Sequence, residues 1–121
     1  MYKMTSNQMN NKSYNDLIKN NNSGIFIISK DNCPLCEQLK ELFQTIEVEF
    51  ISHLYLETDN EKDNDYPFKN EMKEKTGGKL FPFCYFNGEY VGGYRQIHQN
   101  LITGKLKEML NEIGIDYEED F

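Results

Sequence analysis

The sequence predicts an α/β domain, with one four-stranded mixed sheet flanked by helices on both faces. Three observations predict it. Ile25 to Ser29 is a short apolar run rich in β-branched residues, the pattern of an interior strand covered on both sides. A helix and a second strand follow, which is the order of a right-handed parallel crossover. Farther on, Asn87-Gly88 lies between two short strand-like runs and signals a two-residue hairpin, with a long helix after it. A parallel half and an antiparallel half therefore share one sheet. The 121 residues suffice for one domain and one core.

Residues 1–12 are polar and rich in Asn, with little periodicity, and are expected to form a disordered tail. Ser13 to Asn21 reads as a short helix: Ser13 caps it, and Tyr14, Leu17 and Ile18 lie at i, i+3, i+4. Asn20 to Gly24 ends it in turn chemistry. After the Ile25–Ser29 strand, Asp31 or Asn32 supplies a cap for a helix that Pro34 opens. That helix runs to Ile46, with Leu35, Leu39, Leu42, Phe43 and Ile46 on the stripe that meets the sheet.

Val48 to Leu56 is the second strand, with imperfect alternation. Glu57 to Asp65 carries five acids and one Lys and reads as a solvated loop. Asp65 then caps a helix beginning near Pro67. Phe68, Met72 and Lys75 mark its inner side, and Thr76-Gly77-Gly78 ends it. Leu80 to Phe86 is the third strand, interrupted by Pro82, and Glu89 to Val91 returns from the hairpin to Gly92-Gly93. Tyr94 to Ile113 is the last helix, its stripe running Ile97, Leu101, Ile102, Leu106, Met109, Leu110 and Ile113. Gly104 in its middle costs about 1 kcal/mol against Ala and implies a close approach or a kink. The domain is thus placed at 13–114, with 115–121 an acidic tail. Neither an internal repeat nor a linker is visible.

Composition narrows the function. A net charge of −7 without a basic face argues against nucleic acid. No apolar run reaches membrane-spanning length. The first twenty residues hold no apolar signal core, which predicts a cytoplasmic chain in a reducing compartment. Three cysteines make no disulfide framework.

Two of those three are Cys33 and Cys36, separated by Pro34 and Leu35 at the start of a helix. There, unpaired N–H groups and the helix dipole favour a thiolate on Cys33, the nucleophilic form of sulfur. Cys36 lies one turn on and can resolve a mixed disulfide formed at Cys33. Structural zinc usually takes four ligands, and only Cys84, His53 and His98 remain, widely spread, so no metal is expected. An inert structural disulfide fits poorly with so few cysteines and a reducing setting. Cys84, among Phe83, Tyr85 and Phe86, reads as a small buried hydrophobe. His53 and His98 read as structural.

Four stretches, in order, resemble the glutaredoxins, a family with the thioredoxin-like fold. They are Ser29-Lys30-Asp31-Asn32-Cys33-Pro34-Leu35-Cys36, with Leu35 where many members have Tyr; Thr76-Gly77-Gly78-Lys79-Leu80-Phe81-Pro82; Phe83 to Gly93; and Gly104-Lys105-Leu106. The resemblance covers about residues 13–114.

It implies a thiol–disulfide oxidoreductase that uses glutathione as reductant and acts on disulfide-bonded or glutathionylated proteins, as a monomer. It implies catalysis by Cys33 and Cys36 and a cis bond at Pro82, so that the Phe81 backbone meets an extended peptide beside Cys33. It gives Lys30 and Lys79 to a glutathione carboxylate, and adds Leu35, Gly93, Tyr94 and Gln96 to the glutathione site. The chain departs from the family after Gly92-Gly93: Tyr94-Arg95-Gln96 stands where many members have a residue, Ser or Thr, then Asp. Gln96 accepts a hydrogen bond from an ammonium but cannot pair its charge. Alternative readings are a related redoxin reduced by thioredoxin reductase, an iron–sulfur cluster carrier, and a non-catalytic interaction domain.

Overall fold

The central strand is β2 (Ile25–Lys30), buried along its length except at Lys30. The computed structural model describes residues 3–4, 14–56 and 67–117. Strand β3 (Ile51–Tyr55) pairs parallel to β2 on one side. On the other side β4 (Phe83–Phe86) pairs antiparallel, and β5 (Glu89–Gly92) pairs antiparallel to β4. This is the expected four-stranded mixed sheet. A two-residue strand, β1 (Lys3–Met4), adds parallel to β3 at the outer edge, giving the order β1-β3-β2-β4-β5. Residues 3–4, expected in a disordered tail, thus pair with the sheet; the rest of 1–12 lies outside the described residues.

Alternation along the strands feeds two cores. Ile25, Ile27, Cys84 and Phe86 face α2 (Pro34–Thr45), α4 (Tyr94–Thr103) and α5 (Lys105–Glu112), where Leu39, Phe43, Ile97, Leu106 and Leu110 are buried. Phe26, Ile28, Phe83 and Tyr85 face the other way, onto Tyr14 and Leu17 of α1 (Tyr14–Asn20) and Phe68 and Met72 of α3 (Pro67–Thr76). Lys75, expected on the inner side of α3, instead bonds Asn15 and Glu71 in an exposed position.

Several expectations change in detail. Helix α2 is capped by Cys33, whose sulfur accepts the Cys36 N–H, not by Asp31 or Asn32. Asn32 instead takes the left-handed turn position, with φ +54°. The last helix breaks in two at Gly104, whose φ of +86° ends α4 with its N–H on the Leu101 carbonyl. No atom lies within 4 Å of a Cβ built there, so the glycine serves the bend and not a close approach. Ile102, expected on the apolar stripe, is 65% exposed. Core packing passes residue 114, because Ile115 lies against the core and Tyr117 is buried in it. The proposed caps Ser13 and Asp65, and the acidic run 57–65, lie outside the described residues. The Asn87-Gly88 hairpin forms with φ positive at both positions, as a type I′ turn requires.

Two stability predictions arise here. Tyr14 and Tyr85 share a buried hydroxyl–hydroxyl hydrogen bond of 2.9 Å between α1 and β4. Either single change to Phe strands the partner's hydroxyl and is expected to cost about 1–3 kcal/mol in urea unfolding. The double change is expected to recover most of that loss. His53, on β3 beside Phe26, is buried, and desolvation lowers its pKa. The unfolded chain then binds a proton more readily than the folded one. Its contribution is therefore complete above about pH 6.5 and declines as pH falls below that, until the lowered folded pKa is reached. His53→Gln is expected to flatten the denaturation midpoint across that window.

Candidate active site

Cys33 sits where the β2–α2 turn meets the first turn of α2, in extended backbone, with Pro34 at the first helical position. It is joined to Cys36 by a disulfide, with 5.3 Å between their Cα atoms. Their exposures differ. Cys36 is fully buried against the α1–α3 side of the sheet, whereas Cys33 is half-buried and reaches the surface. Attack from outside therefore reaches Cys33, and Cys36 is placed to attack from within.

The Phe81–Pro82 bond is cis, as the resemblance implied. The Phe81 carbonyl oxygen lies 4.0 Å from the Cys33 sulfur. The Phe81 ring is held between the Tyr55 and Phe83 rings, at 5.6 and 5.1 Å. Lys30 lies with its Nζ 5.6 Å from the centre of the Phe81 ring, a cation–π contact beside the Cys33 turn.

On the other side of the Phe81 segment opens a cleft of about 300 Å³. Leu35, Lys79, Phe81, Gly93, Tyr94 and Gln96, six of the eight residues expected at a glutathione site, line it. Lys30 and Pro82 do not, though the Pro82 carbonyl would lie 3.0 Å from a Cβ at Gly93, so the proline backs the wall. Gly77, Gly78, Leu80, Tyr90 and Arg95 complete the lining. Tyr90 was not legible as a site residue, because nothing local ties β5 to the end of α3. A Cβ on Gly78 would collide with the Tyr90 hydroxyl and sit 2.9 Å from Phe83, so Gly78 lets the cleft wall pass close over β4 and β5.

The far end of the cleft is the start of α4. The Gln96 Oε1 accepts the Gly93 N–H at 2.9 Å, closing the helix end. Gly92 has φ +122°, and a Cβ there would lie 2.6 Å from the Gln96 Cβ. The second glycine pair thus permits the tight entry into α4.

The other cysteine and the histidines stay apart from this site. Cys84 is fully buried on β4, in the core on the α2, α4 and α5 side of the sheet, and desolvation pushes its thiol far up. His98 stacks on Tyr94 at 5.4 Å on the outside of α4, and His53 is held on β3. Among the described residues no three His, Cys, Asp or Glu side chains form a metal-binding group. No helix among them is long and apolar enough to cross a membrane.

Comparison with known proteins agrees with this geometry. The glutaredoxin family model matches residues 25–91. The chain is 32% identical to glutaredoxin-1 of Saccharomyces cerevisiae over 103 residues, covering 84% of this chain and 91% of that one. It is 30% identical to glutaredoxin-C2 of Arabidopsis thaliana, over 78% of this chain and 81% of the relative. The crystal structure of a buckwheat glutaredoxin–glutathione complex superposes with a TM-score of 0.65 at 27% identity, over 83% of this chain and 86% of that one. Wheat glutaredoxin superposes equally well, with a TM-score of 0.65 at 28% identity, covering 84% and 88%. With the Cys33–Cys36 pair at the mouth of α2, these matches make the chain a member of the glutaredoxin family and a thiol–disulfide oxidoreductase.

Proposed function

We propose that the protein is a dithiol glutaredoxin that draws on glutathione to reduce protein disulfides and glutathione mixed disulfides, with Cys33 as nucleophile and Cys36 as resolving thiol. The observation that carries this reading is the contrast in exposure between the two sulfurs beside a cleft rimmed by Lys79 and Arg95. The glutathione bound in the buckwheat relative supports it.

In the one-cysteine route, the Cys33 thiolate attacks the glutathione sulfur of a mixed disulfide. The client leaves as a thiolate and takes a proton from water. A second glutathione thiolate then attacks the Cys33-bound glutathione, giving glutathione disulfide and free Cys33 thiolate. In the two-cysteine route, Cys33 attacks a client disulfide, and the Cys36 thiolate attacks Cys33 in the product. The client leaves fully reduced, and the Cys33–Cys36 disulfide remains for two glutathiones to reduce. The cis-Pro82 segment supports this by offering the Phe81 backbone to an extended cysteinyl segment. Lys79 and Arg95 supply charge for carboxylates, and Lys30 and the helix start favour a thiolate at Cys33. A reduction potential of about −200 to −230 mV fits such a role, as does a cytoplasmic setting that keeps the pair reduced at rest.

The test is NADPH consumption with glutathione, glutathione reductase and a small mixed disulfide, beside a parallel assay with thioredoxin reductase alone. Turnover that requires glutathione is expected. Turnover with thioredoxin reductase alone would overturn the glutathione assignment while leaving Cys33 exchange intact.

A further inference from the structure

The cleft beside Cys33 is cationic in a chain of net charge −7. Lys79 and Arg95 stand on its rim, and no carboxylate lines it among the described residues. Its one side-chain amide, Gln96, has its oxygen occupied by the Gly93 N–H at 2.9 Å. The second lone pair of that oxygen can accept one further hydrogen bond and the amide nitrogen only donates, but neither atom carries a charge to oppose an ammonium. The side-chain stem lies over Gly92, where a Cβ would come within 2.6 Å of the Gln96 Cβ. The remaining side-chain acceptors are two phenols: Tyr90 lies against Gly78, and the Tyr94 ring stacks on His98. A ligand carboxylate therefore meets cations and N–H donors. Among the described residues a ligand ammonium meets no opposing charge, and Arg95 repels it.

Resting on the reading that this cleft receives glutathione, we infer that the site reads its small thiol as a dicarboxylate and does not read the α-ammonium. The substrate class is a cysteinyl peptide with a carboxylate at each end, with or without the amine. Glutathione belongs to it through its two carboxylates. The tripeptide lacking only the amine, glutaryl-cysteinyl-glycine, belongs to it equally. Exchange needs no outside oxidant: the Cys33 thiolate attacks the symmetric disulfide of either tripeptide, one sulfur–sulfur bond forms as one breaks, and one tripeptide thiolate leaves.

The experiment uses full-length protein carrying Cys36→Ser, so that Cys33 adducts accumulate. It is equilibrated without oxygen against equal amounts of both tripeptides, each as thiol and symmetric disulfide. Intact mass gives the ratio of glutathione adduct to amine-free adduct on Cys33. The same ratio on the urea-unfolded chain removes the intrinsic difference between the thiols, and native over unfolded is the selectivity. We expect a selectivity of about one or less, since no pair forms with the ammonium. Adding Gln96→Glu keeps an oxygen for the Gly93 N–H and offers the other to the ammonium. Selectivity is then expected to rise about twofold to fivefold, the size of an exposed ion pair. Should that variant fold poorly, Arg95→Gln is the second test: relief of repulsion is expected to raise selectivity, while capture of both tripeptides falls relative to 2-mercaptoethanol.

A selectivity above about two in the protein carrying only Cys36→Ser would show the ammonium to be read and overturn the inference. So would a selectivity near one that neither substitution moves. If neither tripeptide is captured better by the native than by the unfolded chain, the glutathione assignment itself falls, and this inference with it. Preference for glutathione, by contrast, removes only the claim about the amine.

Discussion

Cys33→Ser is expected to abolish thiol–disulfide exchange with every substrate, whereas Cys36→Ser keeps turnover of small glutathione mixed disulfides and loses the reduction of intramolecular protein disulfides. The asymmetry follows from burial. Cys33 is half-buried at the surface, and its sulfur receives the Cys36 N–H at 3.2 Å. A thiolate there gains a charge-assisted hydrogen bond and the start of α2. Cys36 is wholly buried and can meet a substrate only after Cys33 has brought one in. Losing the nucleophile costs a factor on the order of 10³ or more. Losing the resolving thiol removes one of two routes. The coupled assay with both substrate types reads this directly. Equal loss in both variants would mean a strictly two-cysteine mechanism.

The second large effect is expected from Gly92→Ala. Gly92 has φ +122°, and a Cβ would come within 2.6 Å of the Gln96 Cβ. That atom is the root of its side chain, so no rotamer change removes the collision. Either the first turn of α4 moves or the end of β5 does. Backbone strain and overpacking together are expected to cost about 2–5 kcal/mol, a large share of the ~5–15 kcal/mol that holds such a domain. Gly104→Ala is the control. It has a positive φ of +86° but open space around the missing Cβ, so strain alone acts, about 1–2 kcal/mol. Urea midpoints of the two variants separate collision from strain. Gly92→Ala is further expected to weaken capture of small thiols, because it displaces Gly93, Tyr94 and Gln96 together.

What the sequence disclosed was mostly what local chemistry decides. Cys33-Pro34-Leu35-Cys36 names a helix start and a sulfur pair within four residues, and the Asn87-Gly88 turn needs only its own two φ angles. The apolar run of β2 announced its own burial. The misses are of another kind. A strand as short as Lys3–Met4 has no period to detect, and its pairing to Ile51 and Ser52 crosses the chain. Tyr90 reaches the cleft only because Gly78 allows α3 to end close against β5, a contact spanning twelve residues. The Gly104 break looked like a local cost in one long helix, yet it changes the direction of everything after Thr103. The cis bond at Pro82 and the gathering of Lys79, Phe81, Gly93 and Gln96 came from resemblance, since no local propensity specifies them.

The seclusion of Cys84 has a practical consequence. Its thiol is fully buried and held far from ionisation, and Cys36 is buried as well, so alkylating reagents meet Cys33 first in the folded reduced protein. Cys84 becomes countable only when the sheet opens. Pulse labelling of native protein therefore carries an internal clock: modification of Cys33 reports the redox state of the pair, and the arrival of label on Cys84 reports the opening of the fold around it.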